Sequence, residues 1–127
     1  MAKLTIIRGL PGSGKSTMAR AIVKENPVGH YEADMFFEDD DGNYHFNPAK
    51  LKDAHNWCQR QVRQDMQRGL DVIVSNTFTC KWEMKAYLDM AEKFGYEVEI
   101  LVATGNYKNV HGVPAEAIER MRARWED

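Results

Sequence analysis

Gly9-Leu10-Pro11-Gly12-Ser13-Gly14-Lys15-Ser16 follows the β-rich run Leu4-Thr5-Ile6-Ile7-Arg8 and leads into a segment of helical apolar periodicity. The eight residues match G-x-x-x-x-G-K-[ST] at every specified position. Glycines let backbone N–H groups converge on phosphate oxygens, and the start of the helix that opens inside the loop adds partial positive charge. On this reading Lys15 reaches the β- and γ-phosphates, the Ser16 hydroxyl ligates Mg2+, and Thr17 hydrogen-bonds the α-phosphate. Gly12, Ser13 and Gly14 complete the cradle. The stretch is a nucleoside triphosphate site, with ATP and Mg2+ as the expected cofactors.

Working outward, strand-like and helix-like segments alternate along the chain. Residues 15–25 carry Met18, Ala19, Ala21, Ile22 and Val23 at helical spacing. A weak second strand spans 29–33, and residues 35–46 suggest a β-hairpin, with Phe36 and Phe37, a turn at Asp41-Gly42, then Tyr44 and Phe46. Asn47-Pro48 starts a helix running to about Gln67, whose stripe is Leu51, Ala54, Cys58, Val62 and Met66. Residues 71–75 form a buried-type strand, 81–94 a helix stopped by Gly95, and 97–103 a fourth strand; a last helix starts at Pro114. This alternation predicts a three-layer α/β sandwich of the phosphate-loop type, about four parallel strands flanked by helices, with a small hairpin insertion. Parallel crossovers gather the functional loops at one end of the sheet.

The 127 residues are read as a single domain, residues 1–127, large enough to fold alone. Apolar residues are 43% and charged residues 28%, and the net charge of −2 argues against a broad nucleic-acid-coating surface. No apolar run approaches the roughly 20 residues of a membrane span. Met1-Ala2-Lys3 leads straight into the first strand without a signal peptide, and two cysteines are too few for a disulfide framework. The expectation is a cytoplasmic protein with reduced thiols.

Glu32-Ala33-Asp34 ends the second strand. Residues i and i+2 of a strand share a face, so both carboxylates are expected to look into the phosphate-loop cleft. There a carboxylate can accept the proton of an acceptor hydroxyl, the role assigned to Asp34; Glu32 is an acceptor-side candidate.

Together Gly12 to Thr17, Asp34, Ser75-Asn76-Thr77 and Gly112-Val113-Pro114 resemble the kinase domain of phage-type polynucleotide 5′-kinases. The chain is similar also to the short P-loop proteins related to NEDD4-binding protein 2, through Ala54-His55-Asn56-Trp57 and His111-Gly112-Val113-Pro114. The resemblance implies that Asp34 is the general base. An arginine that the phage enzyme carries three residues further on falls on Phe37, an aspartate before the Asn-Thr pair falls on Ser75, and a lid arginine falls near Lys108.

Lys108 is the sole formal cation between Thr104 and Gly112, and it is the candidate for stabilising charge on the transferred phosphoryl group. Asn76 either orients the acceptor or γ-phosphate or belongs to an ordinary strand-to-helix junction. Arg60 and Arg63, with Phe37, Tyr44 or Trp57 nearby, are candidates for gripping a single-stranded acceptor, against the ordinary reading of a solvated helix face. The functional expectation is an ATP- and Mg2+-dependent phosphotransferase acting on a 5′-hydroxyl of a polynucleotide or nucleotide. A small-molecule kinase of the shikimate or gluconate type, and an ATP-binding or ATPase module acting through a protein partner, are the alternatives.

Overall fold

Strand β1, Lys3–Arg8, is buried on both faces, and its alternation divides the core in two. Leu4 and Ile6 point into one layer and Ile7 into the other, each fully buried. Burying a side chain of this size stabilises the fold by about 1.5–3 kcal/mol, which is why this strand reads as a continuous apolar run. The structure, a computed structural model, describes residues 2–25, 28–105 and 112–127.

The remaining elements are helix α1 (Lys15–Glu25), β2 (Gly29–Tyr31), α2 (Leu51–Gln67), β3 (Val72–Asn76), α3 (Lys85–Phe94), β4 (Glu97–Val102) and α4 (Ala115–Ala123). The four strands form one parallel sheet in the order β2-β3-β1-β4. Helix α1 covers one face, where Ala19, Met18, Ile22 and Val23 meet Ile7 and Ile73. Helices α2 and α3 cover the other, where Ala54, Cys58, Val62, Tyr87 and Met90 meet Leu4, Ile6, Val72 and Val74. The stripe expected on α2 is the one buried, apart from Leu51, which is exposed at its first turn. Gly95 ends α3 at φ 71°, a left-handed conformation that glycine adopts without a Cβ penalty. No described helix is long and apolar enough to cross a membrane.

The expected hairpin between residues 35 and 46 is reduced to one antiparallel bridge, Glu38 with Tyr44. Ala33–Phe37 instead forms a 3₁₀ turn. The reason lies in the consecutive aromatics: Phe36 and Phe37 both pack on the same core layer, whereas successive strand residues point to opposite faces. The loop that follows is tight, with Asp39 Oδ1 accepting from the backbone N–H groups of Asp41 at 3.0 Å and Asn43 at 2.9 Å. Asn47 caps the next turn by accepting from Ala49 N at 3.1 Å.

Two other features frame the site end of the sheet. Arg8 is buried and donates to the carbonyls of Phe78 (2.9 Å), Thr79 (3.4 Å) and Glu126, with its guanidinium 4.4 Å from the Trp125 ring centroid. This cation therefore ties the end of β1 to the loop after β3 and to the C-terminal residues. Phe78 itself sits at φ 45°, uncommon for a residue with a Cβ, and is held there by an edge-on contact with Tyr87 at 5.7 Å.

Candidate active site

The phosphate loop closes because its glycines allow it. Gly12 and Gly14 have φ of 80° and 94°, in the left-handed region. A Cβ on Gly9 would lie 2.3 Å from Ser13 Oγ and 2.9 Å from Lys15 Cγ, so the loop packs on itself with no room there for a side chain. Ser13 N donates to Leu10 O at 3.0 Å, and Lys15 Nζ folds back to donate to Leu10 O at 3.2 Å. Burial lowers the Lys15 ammonium below its ordinary value, while Glu32 and Asp34 oppose that shift. Ser13 Oγ is buried and meets no hydrogen-bond partner among the described residues. A phosphate oxygen is the kind of acceptor such an orphan hydroxyl fits. Thr17 is exposed in the first turn of α1.

Behind the loop runs a chain of polar contacts. Ser16 Oγ donates to Glu32 Oε1 at 2.9 Å, and Ser75 Oγ donates to the same oxygen at 3.0 Å. His30 Nε2 lies 2.7 Å from Ser75 Oγ. Burial and the nearby Arg20 guanidinium hold the imidazole below its ordinary value, against the pull of Glu32. The ring is then neutral with the proton on Nε2, an assignment made from the network. Ser75 is fully buried and has the role of a link between Glu32 and His30. No motif marks His30, although it stands in β2 only two residues before Glu32.

Asp34 is positioned from two sides. Its 3₁₀ turn is fastened to the end of β3, where Asn76 Oδ1 accepts from Ala33 N at 2.9 Å. Tyr44 Oη donates to Asp34 Oδ1 at 3.2 Å. Burial and the Asp34 carboxylate together push the Tyr44 phenol well above its usual range, so it stays a donor. Glu32 is the extended cap residue of that turn and Asp34 lies inside it. Both act electrostatically on Lys15, although not as alternate residues of one strand.

The acceptor-side expectations fare differently. Phe37 is 6% exposed, wedged edge-on against Phe36, Tyr44 and Phe46, so it cannot meet an acceptor as expected; Phe46, at 48%, is the exposed ring of that group. Arg63 lies in a shallow groove with Asp89, Met90, Lys93 and Phe94 of α3. Helix α2 begins beside the Asp34 turn, where Trp57 touches Tyr31 and Phe36, and it ends where Tyr96 Oη donates to Leu70 O at 2.6 Å. Its second half therefore recedes toward the strand starts, which takes Arg63 away from the phosphate loop. Arg60 is exposed three residues past Trp57. Asn76 serves the backbone of the Asp34 turn, and its Nδ2 faces Cys58 Sγ at 4.0 Å. Lys108 lies outside the described residues.

The Ser16 hydroxyl, with the Glu32 carboxylate beside it, offers hard oxygen donors of the sort that suit Mg2+, an ion that keeps several waters and takes few protein ligands. A family model described as an AAA domain matches residues 4–127. The chain belongs to that family. It is 35% identical over 130 residues to human NEDD4-binding protein 2, covering 93% of this chain and 7% of that protein's length. Among solved structures, the Pnkp1/Rnl/Hen1 complex contains a chain that superposes at a TM-score of 0.64 with 20% identity, over 94% of this chain and 38% of its own. A gluconokinase from Sinorhizobium meliloti 1021 gives 0.64 with 14% identity, over 98% of this chain and 75% of its own. This AAA-domain chain thus has the P-loop kinase fold, as the alternation of strands and helices around residues 9–16 led us to expect.

Proposed function

We propose that this domain is an ATP- and Mg2+-dependent phosphotransferase that moves the γ-phosphoryl group to a 5′-hydroxyl of a nucleic acid or nucleotide. The observation that carries the reading is Asp34, braced by Asn76 through Ala33 and by Tyr44, on the same side of the sheet as the Lys15 loop. The backbone N–H groups of the loop and Lys15 bind the β- and γ-phosphates and hold the transferred group in place. Asp34 accepts the acceptor hydroxyl's proton as its oxygen bonds to phosphorus, while the bond from phosphorus to the β–γ bridging oxygen breaks and ADP leaves. Lys15 stays protonated and meets the charge that develops on the leaving oxygen. Mg2+, when bound, neutralises charge between the phosphates; Ser16 would hold it, with Glu32 fixing the Ser16 hydroxyl from behind.

One observation favours a small-molecule acceptor over a long strand: Arg63 lies against α3, toward the strand starts, so the cationic track along α2 is interrupted. Transfer from γ-labelled ATP to single-stranded 5′-hydroxyl oligonucleotides, mononucleotides and sugar acids tests the reading. Labelling of a 5′-hydroxyl acceptor that is lost in Asp34→Asn is the expected result. ATP hydrolysis without transfer to any acceptor would replace the kinase with an ATPase module.

A further inference from the structure

We propose that Glu32 supplies the carboxylate of the Mg2+ shell, in place of one at the end of β3, and that Ser75 holds it there. The proposal rests on the kinase reading for the triphosphate and its ion, and it moves Glu32 from the acceptor side to the metal. Enzymes with this loop hold the ion between the loop hydroxyl and a carboxylate at a strand end. Here β3 lies beside β1, with Ser75 in register with Ile7, yet its residues Val72-Ile73-Val74-Ser75-Asn76 include no acid. The acid comes from the far side of β3, where Glu32 follows β2. Its Oε1 accepts from Ser16 Oγ at 2.9 Å and from Ser75 Oγ at 3.0 Å. One oxygen thus spans the hydroxyl of the phosphate loop and the position on β3 that lacks a carboxylate.

Glu32 is mostly buried without a direct lysine or arginine partner among the described residues. Its side chain is 16% exposed, and the only described nitrogen within ion-pair reach is His30 Nε2, at 4.0 Å. Lys15 feels the charge of Glu32, but its ammonium donates to Leu10 O. Buried charges are paired or coordinate metals. Both serine hydroxyls meet Oε1, and no hydrogen bond among the described residues reaches Oε2. Ser16, with its hydrogen given to Glu32, keeps its lone pairs for the ion, and Oε2 is left for a water that the ion carries. Mg2+ suits this arrangement, because it keeps several waters and is held by one or two carboxylates together with substrate phosphates. No group of three or more His, Cys, Asp or Glu among the described residues could hold a metal ion, so an ion here also needs the triphosphate oxygens. Ser75 is fully buried, with His30 Nε2 2.7 Å from its oxygen and its hydrogen directed at Glu32.

The test measures by calorimetry the affinity for a non-hydrolysable ATP analogue, once in Mg2+ and once in EDTA. Mg2+ is expected to tighten binding to the wild type, and Glu32→Gln should cut that tightening about tenfold. Affinity in EDTA should hold or rise, because the change removes a negative charge near the phosphates. Gln keeps the length of the side chain and an oxygen for both hydroxyls, so a contact that only braces the fold would leave the tightening intact. Glu32→Asp, which keeps the charge on a shorter arm, should retain more of it than Glu32→Gln. Ser75→Asp added to Glu32→Gln should recover part of it from β3. Equal tightening in wild type and Glu32→Gln, no tightening in the wild type, or a loss confined to Asp34→Asn overturns the assignment. Loss of the tightening in Glu32→Gln, in a protein that transfers phosphoryl to no acceptor, leaves the assignment standing and removes the kinase reading. Transfer that proceeds with the tightening unaffected by Glu32→Gln does the reverse.

Discussion

The Asn76 side-chain oxygen accepts a hydrogen bond from the backbone N–H of Ala33 at 2.9 Å, across 43 residues of sequence. This bond joins the end of β3 to the turn that carries Asp34, so the candidate base is placed by the strand beside it as well as by its own. Asn76→Ala leaves the Ala33 N–H without that acceptor, a loss of about 1–3 kcal/mol if the group stays dry. Turnover should drop at least tenfold with the ATP Kd within twofold, and the melting temperature should fall. Unchanged turnover with a lowered melting point would reduce Asn76 to a fold-stabilising contact.

Lys15→Ala removes the cation at the β- and γ-phosphates while the backbone cradle survives. ATP affinity should fall at least tenfold, about 1.4 kcal/mol, with the circular dichroism spectrum unchanged. Calorimetric titration of ATP with Mg2+ into both proteins measures it. Equal affinities would mean that the loop does not bind a triphosphate.

Asp34→Asn keeps the size of the side chain and its contact with Tyr44 but cannot take a proton from the acceptor. Turnover should fall about 10²–10⁴-fold, with ATP affinity within a few-fold. A matching collapse of ATP binding would place Asp34 in the metal shell instead.

His30 supplies a pH dependence whose sign is set by its lowered value in the folded chain. The unfolded chain takes up a proton near the ordinary value of 6.5 and the folded chain only at lower pH. Stability from this group is therefore complete above the ordinary value and is lost as pH falls through the folded one. Thermal melting of the nucleotide-free protein between pH 7.5 and 5 should show a decline that is shallower in His30→Gln. Parallel declines would show that the buried imidazole does not titrate with unfolding.

Gly9→Ala would place its new Cβ 2.3 Å from Ser13 Oγ and 2.9 Å from Lys15 Cγ, displacing both side chains from their places in the loop. ATP affinity should weaken by more than tenfold at little cost in secondary structure. Retention of full affinity would mean that the loop has room to shift.

The phosphate loop and the sheet were legible in the sequence because both are local. Backbone N–H convergence needs glycines at set spacings within eight residues, and a strand buried on both faces needs only an unbroken apolar run such as Leu4 to Ile7. Helix bounds were equally local, since Asn47 caps its turn through its own side chain and Gly95 terminates α3 through its left-handed backbone conformation. The rest was decided by partners far apart along the chain. Phe37 and Phe46 look alike as residues, yet packing against α2 and the neighbouring aromatics buries one and leaves the other facing solvent. Ser75 departs from the kinase motif, and only the folded sheet shows it linking Glu32 to His30. Arg63 has the spacing of a groove residue, but the direction of α2 carries it away from the phosphate loop. A hydrogen bond such as Asn76 to Ala33 depends on two strands lying side by side, and strand order is a property of the whole packed chain that no short window of residues contains.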